Sequence, residues 1–305
     1  MINFRYHLLS LTAVFLALTV GLILGTAALN GPAVEILSDR VSNLTSANDS
    51  LRSEISELQD ELADDQEFAA EAAPYLLDGT LTAEETVVVA MPGVDAETVE
   101  AVEGLLAFTN TEVNGRLMLL DDYFDPANND ELADLADRTA PEGFEVPVTF
   151  DGVEAISSVL ASVAVAGEDD EDSVSGSDRT TVLSGLSGMM TVEDEPSGEA
   201  TSVILLTGGA ATDSGAEARN ESVVTVADTF AATAETVLGG TTSAGDGNPL
   251  ATIRAEEELN LSTVDNLSST QGEVALVAAL AAQVEQGTIS HLGTGSEAEG
   301  LLPTS

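Results

Sequence analysis

Residues 8–29 have the sequence LLSLTAVFLALTVGLILGTAAL, which contains no charged side chain. A helix of this length is about 33 Å long at 1.5 Å per residue, enough to cross the roughly 30 Å hydrocarbon core of a bilayer. Cleaved signal peptides have a shorter apolar region of about 7–15 residues, although Gly25-Thr26-Ala27 offers a weak cleavage site. We therefore expect residues 1–30 to be a retained transmembrane anchor.

A second apolar pattern follows the anchor directly. Apolar residues recur at alternating steps of three and four, which is the spacing of a coiled-coil seam. β-branched residues at a positions and leucine at d positions favour a parallel two-stranded coil, and Asn48 at an a position would fix its register. A helix that is simply exposed at Asn48 is the alternative. The spacing predicts a rod over residues 31–73, ended by Pro74, with a seam of Val34, Leu37, Val41, Leu44, Asn48, Leu51, Ile55, Leu58 and Leu62.

Small residues in the anchor favour pairing of two spanning helices. Gly21 and Gly25 form a GxxxG pair, which permits close approach of two backbones. Small residues scattered through an ordinary single span are the alternative. We expect a homodimer or a higher homo-oligomer, with an interface that includes Gly21, Gly25, Asn48, Leu51, Ile55 and Leu58.

The few charges beside the anchor predict its orientation. Arg5 and the terminal amine precede the apolar run, whereas Glu35 and Asp39 follow it. The positive-inside rule then places the amino terminus in the cytoplasm. We expect a single-pass protein of a cell-envelope membrane, with the bulk of the chain extracytoplasmic. The sequence does not distinguish the inner from the outer membrane.

The composition excludes several classes of function. The 305 residues include 54 acidic and 8 basic side chains, and the net charge of −46 would repel a phosphate backbone. We therefore expect no nucleic-acid partner. All eight basic residues are arginine and cysteine is absent, which rules out a Walker A loop, a Schiff-base lysine and thiolate chemistry. A surface so acidic and free of lysine suggests adaptation to high salt.

After residue 81 the pattern changes to alternating strands and helices. A β-branched run at 86–91 ends at Pro92-Gly93, and a helical pattern at 96–108 and an apolar run at 117–120 follow it. Such a series is typical of a parallel βαβ unit. The sequence predicts an α/β head with a parallel, Rossmann-like sheet. Further strands are expected at 202–206, 236–238 and 261–264, and further helices at 223–234, 250–258 and 273–284.

An acidic stretch divides the head into two halves. Residues 167–180 begin with GEDDED and continue into serine and glycine, a composition that buries too little apolar surface to order itself. The spacing does not match a calcium-binding loop. We therefore expect a flexible loop at 167–180 between halves at 74–166 and 181–295, with a tail at 296–305.

A ligand pocket is expected at one edge of the sheet. Doubly wound sheets bind ligands beyond the carboxyl ends of their strands, where Gly208-Gly209 and Gly239-Gly240 also lie. The sequence has no G-x-G-x-x-G fingerprint for a dinucleotide and no G-x-S-x-G elbow for a serine nucleophile. We expect no enzyme, no catalytic residue and no cofactor; a membrane-tethered enzyme that uses the head pocket is the alternative. The proposed pocket residues are Ser262, Thr263, Asp265, Asn266 and His291.

Five segments of the chain form a recognisable set. They are MINFRYH at 1–7 before the span, the coil at 51–62, the strand at 87–89 with Pro92-Gly93, STVDN at 262–266 and HLGTG at 291–295. Together they resemble the mycobacterial copper transport protein B family, MctB. The resemblance implies an envelope channel for copper efflux across the outer membrane, with copper as the transported ion.

The residues themselves leave the metal ligands unassigned. Copper(I) prefers thiolate and thioether ligands, then imidazole, and the head offers only Met91, Met118, Met189, Met190 and His291. A single apolar helix also cannot enclose a pore, so conduction would need an oligomer or a partner. The alternative function is a non-transporting envelope scaffold or ligand-binding protein that uses the α/β head, with another envelope protein as its partner.

Overall fold

The computed structural model describes residues 4–29, 32–166, 174–256, 259–295 and 297–304. The chain divides into two compact units, Met1–Asp65 and Gln66–Ser305. The first unit contains helix α1, Phe4–Leu29, of which residues Phe4–Thr26 are long and apolar enough to cross a membrane. The expected apolar helix at the amino terminus is thus confirmed. A Cβ built on Gly21 or Gly25 meets no atom of the single chain, and pairing through these glycines stays a prediction.

Helix α2, Pro32–Leu77, is longer than the sequence indicated. The prediction that Pro74 ends this helix is wrong, because the helix continues for one more turn. Proline removes one backbone hydrogen bond and crowds the preceding turn. That cost is offset here because Ala73 and Leu77, on either side of Pro74, are fully buried in the core of the second unit.

A seven-stranded sheet forms the centre of the second unit. Its strands are β1 Glu85–Ala90, β2 Glu112–Leu119, β3 Met190–Asp194, β4 Ser202–Thr207, β5 Glu235–Gly240, β6 Ser262–Val264 and β7 His291–Leu292. Their order is β3-β2-β1-β4-β5-β6-β7. Six strands are mutually parallel, as predicted, but β3 pairs antiparallel with β2, so the expectation of a wholly parallel sheet is wrong at this edge.

Helices cover both faces of the sheet because the central strands are apolar on both sides. Val87 and Val89 of β1 point into one core cluster, whereas Val88 and Ala90 point into the other. The first cluster is closed by α4 Asn129–Thr139, α5 Gly152–Ala164, α6 Gly176–Gly185, α7 Ala216–Ala231 and α8 Pro249–Ala255. The second is closed by the end of α2, by α3 Ala96–Leu106 and by α9 Thr270–Gln286. This is the doubly wound α/β arrangement that the sequence predicted.

The predicted flexible loop at 167–180 differs from the structure in its second half. Residues 176–180 form the start of α6, and residues 167–173 lie outside the described residues. The Ser175 hydroxyl accepts a hydrogen bond from the Asp178 backbone N–H and so caps this helix. Arg179 donates from Nε to the Val163 carbonyl oxygen at 3.2 Å, and Val182 is fully buried. The cap, the Arg179 hydrogen bond and the buried side chains of Val182 and Leu183 together hold this helix in place.

Candidate functional site

The strand order reverses between β1 and β4, the place where a doubly wound sheet usually opens a ligand crevice. Here the turns that follow the two strands touch each other. A Cβ on Gly208 would lie 2.8 Å from the carbonyl oxygen of Gly93, and a Cβ on Gly93 would lie 3.3 Å from Cα of Gly208. Glycine at both positions therefore allows backbone to pack on backbone, and the crevice is closed at this point.

The polar residues of the predicted pocket lie farther along the same edge, around Arg254. This arginine, near the end of α8, donates from Nη1 to Oδ2 of Asp265 at 2.7 Å. It also donates from Nε to the Thr263 hydroxyl at 2.8 Å and from Nη2 to the Leu292 carbonyl oxygen at 2.7 Å. The side chains of Arg254 and Asp265 are only 2% and 1% exposed. The result is a buried, hydrogen-bonded ion pair that joins α8 to β6 and β7.

Asp265 also holds the glycine-rich loop that follows β7. Its Oδ1 accepts from the Thr294 N–H at 2.8 Å, and its Oδ2 accepts from the Gly295 N–H at 3.0 Å and from the Ser243 hydroxyl at 3.0 Å. Gly293 has φ +130, and a Cβ there would collide with the Asp265 carboxylate. The segments STVDN and HLGTG therefore form one structural feature, in which glycine lets the loop approach the buried aspartate.

Electrostatics favours the charged form of this aspartate. Burial by itself would raise the pKa of Asp265, but hydrogen bonds from Arg254, from the Thr294 backbone and from Ser243, with the Arg254 charge, outweigh it and lower the pKa. Both lone-pair regions of the carboxylate are already engaged by donors. With Arg254 in place, the Asp265 carboxylate is engaged by donors within the protein and is not free to bind a cation.

His291 lies beside this network. Its Nδ1 is 3.0 Å from the Thr263 hydroxyl, and the ring is partly buried. Burial lowers the pKa of His291, the Arg254 charge lowers it further, and Glu299 only partly opposes this. The imidazole is thus kept neutral as a hydrogen-bonding partner of β6.

The other two predicted pocket residues lie apart from Arg254. The Ser262 hydroxyl accepts from the Ser290 N–H at 3.1 Å, which ties β6 to the segment before β7. Asn266 donates from Nδ2 to the hydroxyl of Ser269, the residue that caps α9. The structure therefore brings Thr263, Asp265 and His291 together and places Ser262 and Asn266 in separate local contacts.

Sequence reasoning did not identify Arg254, the residue that organises the network. The only signal in the sequence is a single cation that follows the apolar residues of a short predicted helix, in a chain with eight arginines and 54 acidic residues. Since so few cations are available, a buried one is a strong candidate for a structural ion pair. Its partner, 11 residues later on another element, was not evident from spacing.

The histidine and carboxylate side chains of the head do not form a metal-binding cluster in the described residues. Met91, Met189 and Met190 are at most 7% exposed and belong to the apolar core. Among the described ranges no group of three or more histidine, aspartate or glutamate side chains is placed to hold a metal ion. Met118, the fourth methionine of the head, is partly buried. The described histidine and carboxylate side chains thus form no metal-binding cluster, and three of the four head methionines serve as core packing.

A large open groove lies along α5 and α7, and none of the predicted pocket residues lines it. It has a volume of about 1670 Å³. Asp228 lies in it, and burial followed by the charge of Glu154 raises the pKa of Asp228. No arginine is found among the described lining residues. The lining contains nine carboxylates: Glu142, Asp151, Glu154, Asp178, Glu217, Glu221, Asp228, Asp246 and Glu256.

Comparison with known proteins gives consistent similarities over the whole chain. A family model described as "Copper transport outer membrane protein, MctB" matches residues 1–303. Proteins of Mycobacterium bovis and Mycobacterium tuberculosis, each named "Copper transporter MctB", are 25% identical to this chain over 309 residues. These alignments cover 97% of this chain and 97% of each relative. The similarity therefore includes the amino-terminal helix as well as the head.

Proposed function

We propose that this chain, which belongs to the MctB family, acts in copper transport as a membrane-anchored protein of the cell envelope. The observation that carries the proposal is the family match over residues 1–303, which covers the candidate spanning helix and the α/β head together. A match confined to the head would support only a shared fold, and fold alone does not determine function.

The direction of transport in this proposal is efflux, with the head on the outer side of the anchoring membrane. Efflux is what the resemblance to the MctB family implies. The placement of the head is supported by charge, because Arg5 precedes the apolar helix whereas Glu35 and Asp39 follow it. The transported species is a copper ion, which we treat as cargo because no group of three or more histidine, aspartate or glutamate side chains converges among the described residues.

Any conducting pathway in this proposal lies in an assembly. One apolar helix cannot enclose an aqueous pore, because every polar group in hydrocarbon must be satisfied and a single helix offers no polar interior. Within the described ranges, α1 is the one helix long and apolar enough to span. Several copies of the chain, or a partner protein, must therefore line the path.

A deletion strain of the source bacterium tests the transport role. We expect the strain to accumulate more cell-associated copper, measured by inductively coupled plasma mass spectrometry, and to stop growing at a lower copper concentration. The full chain should restore both values, whereas a version without residues 1–30 should not. Unchanged copper content and unchanged tolerance in the deletion strain would contradict the proposal. Purified chain in a planar bilayer then tests the pore directly, by conductance with copper present.

The second candidate is a non-transporting envelope protein that binds a ligand or a partner through its head. The groove of about 1670 Å³ between helices favours this function, because ligand sites are concave and few per protein. Under this alternative the deletion strain has normal copper content and the purified chain gives no conductance. The two candidates thus predict opposite results in the same experiments.

A further inference from the structure

We propose that a second copy of this chain docks on α2 in parallel and in register, so that the two helices form a two-stranded coiled coil over residues 34–62. We name the nine a and d residues Val34, Leu37, Val41, Leu44, Asn48, Leu51, Ile55, Leu58 and Leu62 the seam. In the single chain the eight apolar seam residues are 53–71% exposed. This proposal does not depend on the copper role.

Beyond the seam, the carboxyl-terminal part of α2 packs against other elements of its own chain. The next d position after Leu62 is Asp65, and from Gln66 onward the helix belongs to the same compact unit as the sheet. Ala73 and Leu77, farther along, are 0% exposed in that unit's core. The carboxyl-terminal part of α2 thus has an apolar cover within its own chain, whereas the seam is covered by nothing in the described chain. A row of aliphatic side chains at heptad spacing is matched by an identical row on a second copy.

The charges beside the seam are compatible with a parallel pair. In such a pair each g residue faces the e residue five positions later on the partner. The four resulting combinations are Arg40 with Thr45, Ala47 with Arg52, Glu54 with Gln59, and Glu61 with Gln66. None joins two like charges, although the chain carries 54 acidic residues. The remaining acidic residues up to Asp64 occupy b, c and f positions, which point away from a partner: Glu35, Asp39, Asp49, Glu57, Asp60 and Asp64.

Asn48 and the anchor specify the parallel orientation. In a parallel pair Asn48 meets Asn48 of the second copy, and the two amides can hydrogen-bond. In the antiparallel pair that aligns the same seam, Asn48 faces Leu51 and its amide stays buried without a partner, which is unfavourable. Both copies also enter the rod from their candidate spanning helix. Two anchors in one membrane therefore require both rods to start at the same end.

Cysteine cross-linking of the full chain in detergent tests the interface, because the natural chain has no cysteine that would interfere. Leu51→Cys places a thiol in the seam. The matched control Ser53→Cys places a thiol two residues later, at an f position that points away from the partner helix. With diamide as oxidant, we expect disulfide-linked dimers of Leu51→Cys to form at least about ten-fold faster than those of Ser53→Cys, because only seam thiols come within bonding distance. Native mass spectrometry of the unmodified chain should give two chains.

Three results would overturn the proposal. Equal rates for the two cysteine variants mean that the seam is not an interface. A mixture of Asn48→Cys and Leu51→Cys chains that links only between the two variants identifies an antiparallel pair. A mass of one chain, or of three or more, excludes the two-stranded assembly. Circular dichroism of each variant verifies that the helix content is unchanged, and Leu44→Cys, at another d position, repeats the test if Leu51→Cys fails to fold.

Discussion

Replacement of Arg254 by methionine tests whether the buried ion pair is central to the head. Methionine keeps most of the aliphatic volume but removes the guanidinium, so Asp265 is left as a buried carboxylate without its counter-charge. Breaking a buried pair by removing one partner typically costs about 3–5 kcal/mol. Asp265 retains the N–H groups of Thr294 and Gly295 and the Ser243 hydroxyl, so we expect the lower end, about 3 kcal/mol.

That loss corresponds to a measurable change in the melting temperature. For a unit of the size of Gln66–Ser305, 1 kcal/mol corresponds to roughly 2–4 °C, so Arg254→Met should lower the midpoint by about 6–12 °C. Differential scanning calorimetry of the full chain in detergent gives this value. The matched control is Arg138→Met, because Arg138 is exposed and its Nε donates only to the Asp134 carbonyl oxygen. We expect less than about 0.5 kcal/mol for the control.

The double variant Arg254→Met/Asp265→Leu separates a local charge effect from a general loss of packing. If the cost of Arg254→Met comes from the uncompensated carboxylate, removal of that carboxylate should restore part of the stability. A midpoint for Arg254→Met within 2 °C of the natural chain would refute the reasoning. So would a double variant that is no more stable than Arg254→Met alone.

Three further predictions concern the loop, the aspartate and the rod. Gly293→Ala should destabilise the chain by about 1–3 kcal/mol, because the backbone angle φ +130 is strained for alanine and the new Cβ would collide with Asp265. Thermal unfolding measures this loss, and Gly188→Ala is the control because a Cβ at Gly188 contacts no other atom. Asp265→Asn should be less stable than the natural chain at pH 7, and the difference in the free energy of unfolding should shrink below about pH 4. Because the pKa of Asp265 is lowered in the folded chain, the ionised carboxylate stabilises the fold at pH values above the unfolded pKa, and this contribution is lost when the carboxylate is protonated. Equal differences at pH 7 and pH 3 in denaturant titrations would argue against this prediction. Asn48→Leu should raise the unfolding midpoint of the rod and broaden the distribution of oligomers in native mass spectra, whereas an unchanged midpoint and a single mass would remove Asn48 from the interface.

The strands that sequence alone located are those with the strongest local signal. β1, β4 and β5 are short β-branched or aliphatic runs that end in glycine or proline turns, so composition and length sufficed. β3 was missed because MTVED has no apolar run and lies at a sheet edge, where its position depends on pairing with β2, more than 70 residues away in sequence. The end of α2 was misplaced for a similar reason, since distant packing of Leu77 outweighs the local effect of Pro74.

In the candidate site, too, local residue patterns were visible in the sequence, whereas contacts between residues on different elements were not. STVDN and HLGTG stood out because polar residues and glycine follow short strands. The role of Asp265 could not be foreseen, because it depends on Arg254 from a helix between two other strands. The residue types in these two segments thus indicated where turns follow strands. They did not indicate whether the polar groups are free to bind a ligand or form hydrogen bonds with one another.

Because contacts within the protein occupy the carboxyl edge of the sheet, we expect interaction sites on other surfaces of this protein. In doubly wound folds the carboxyl ends of the strands usually supply the ligand site. Here Gly93 contacts Gly208 at the strand reversal, and the buried pair of Arg254 and Asp265 lies at the carboxyl end of β6, two strands beyond β4. The features left for interaction are the acidic groove beside α7 and the exposed seam of α2. If this chain conducts copper as proposed, one spanning helix cannot enclose the path, so conduction requires further copies of the chain or a partner protein. Loss of copper export in a variant that folds normally but cannot dimerise through the seam would assign a role in transport to the paired chains, whereas unchanged export would show that the seam is not required for it.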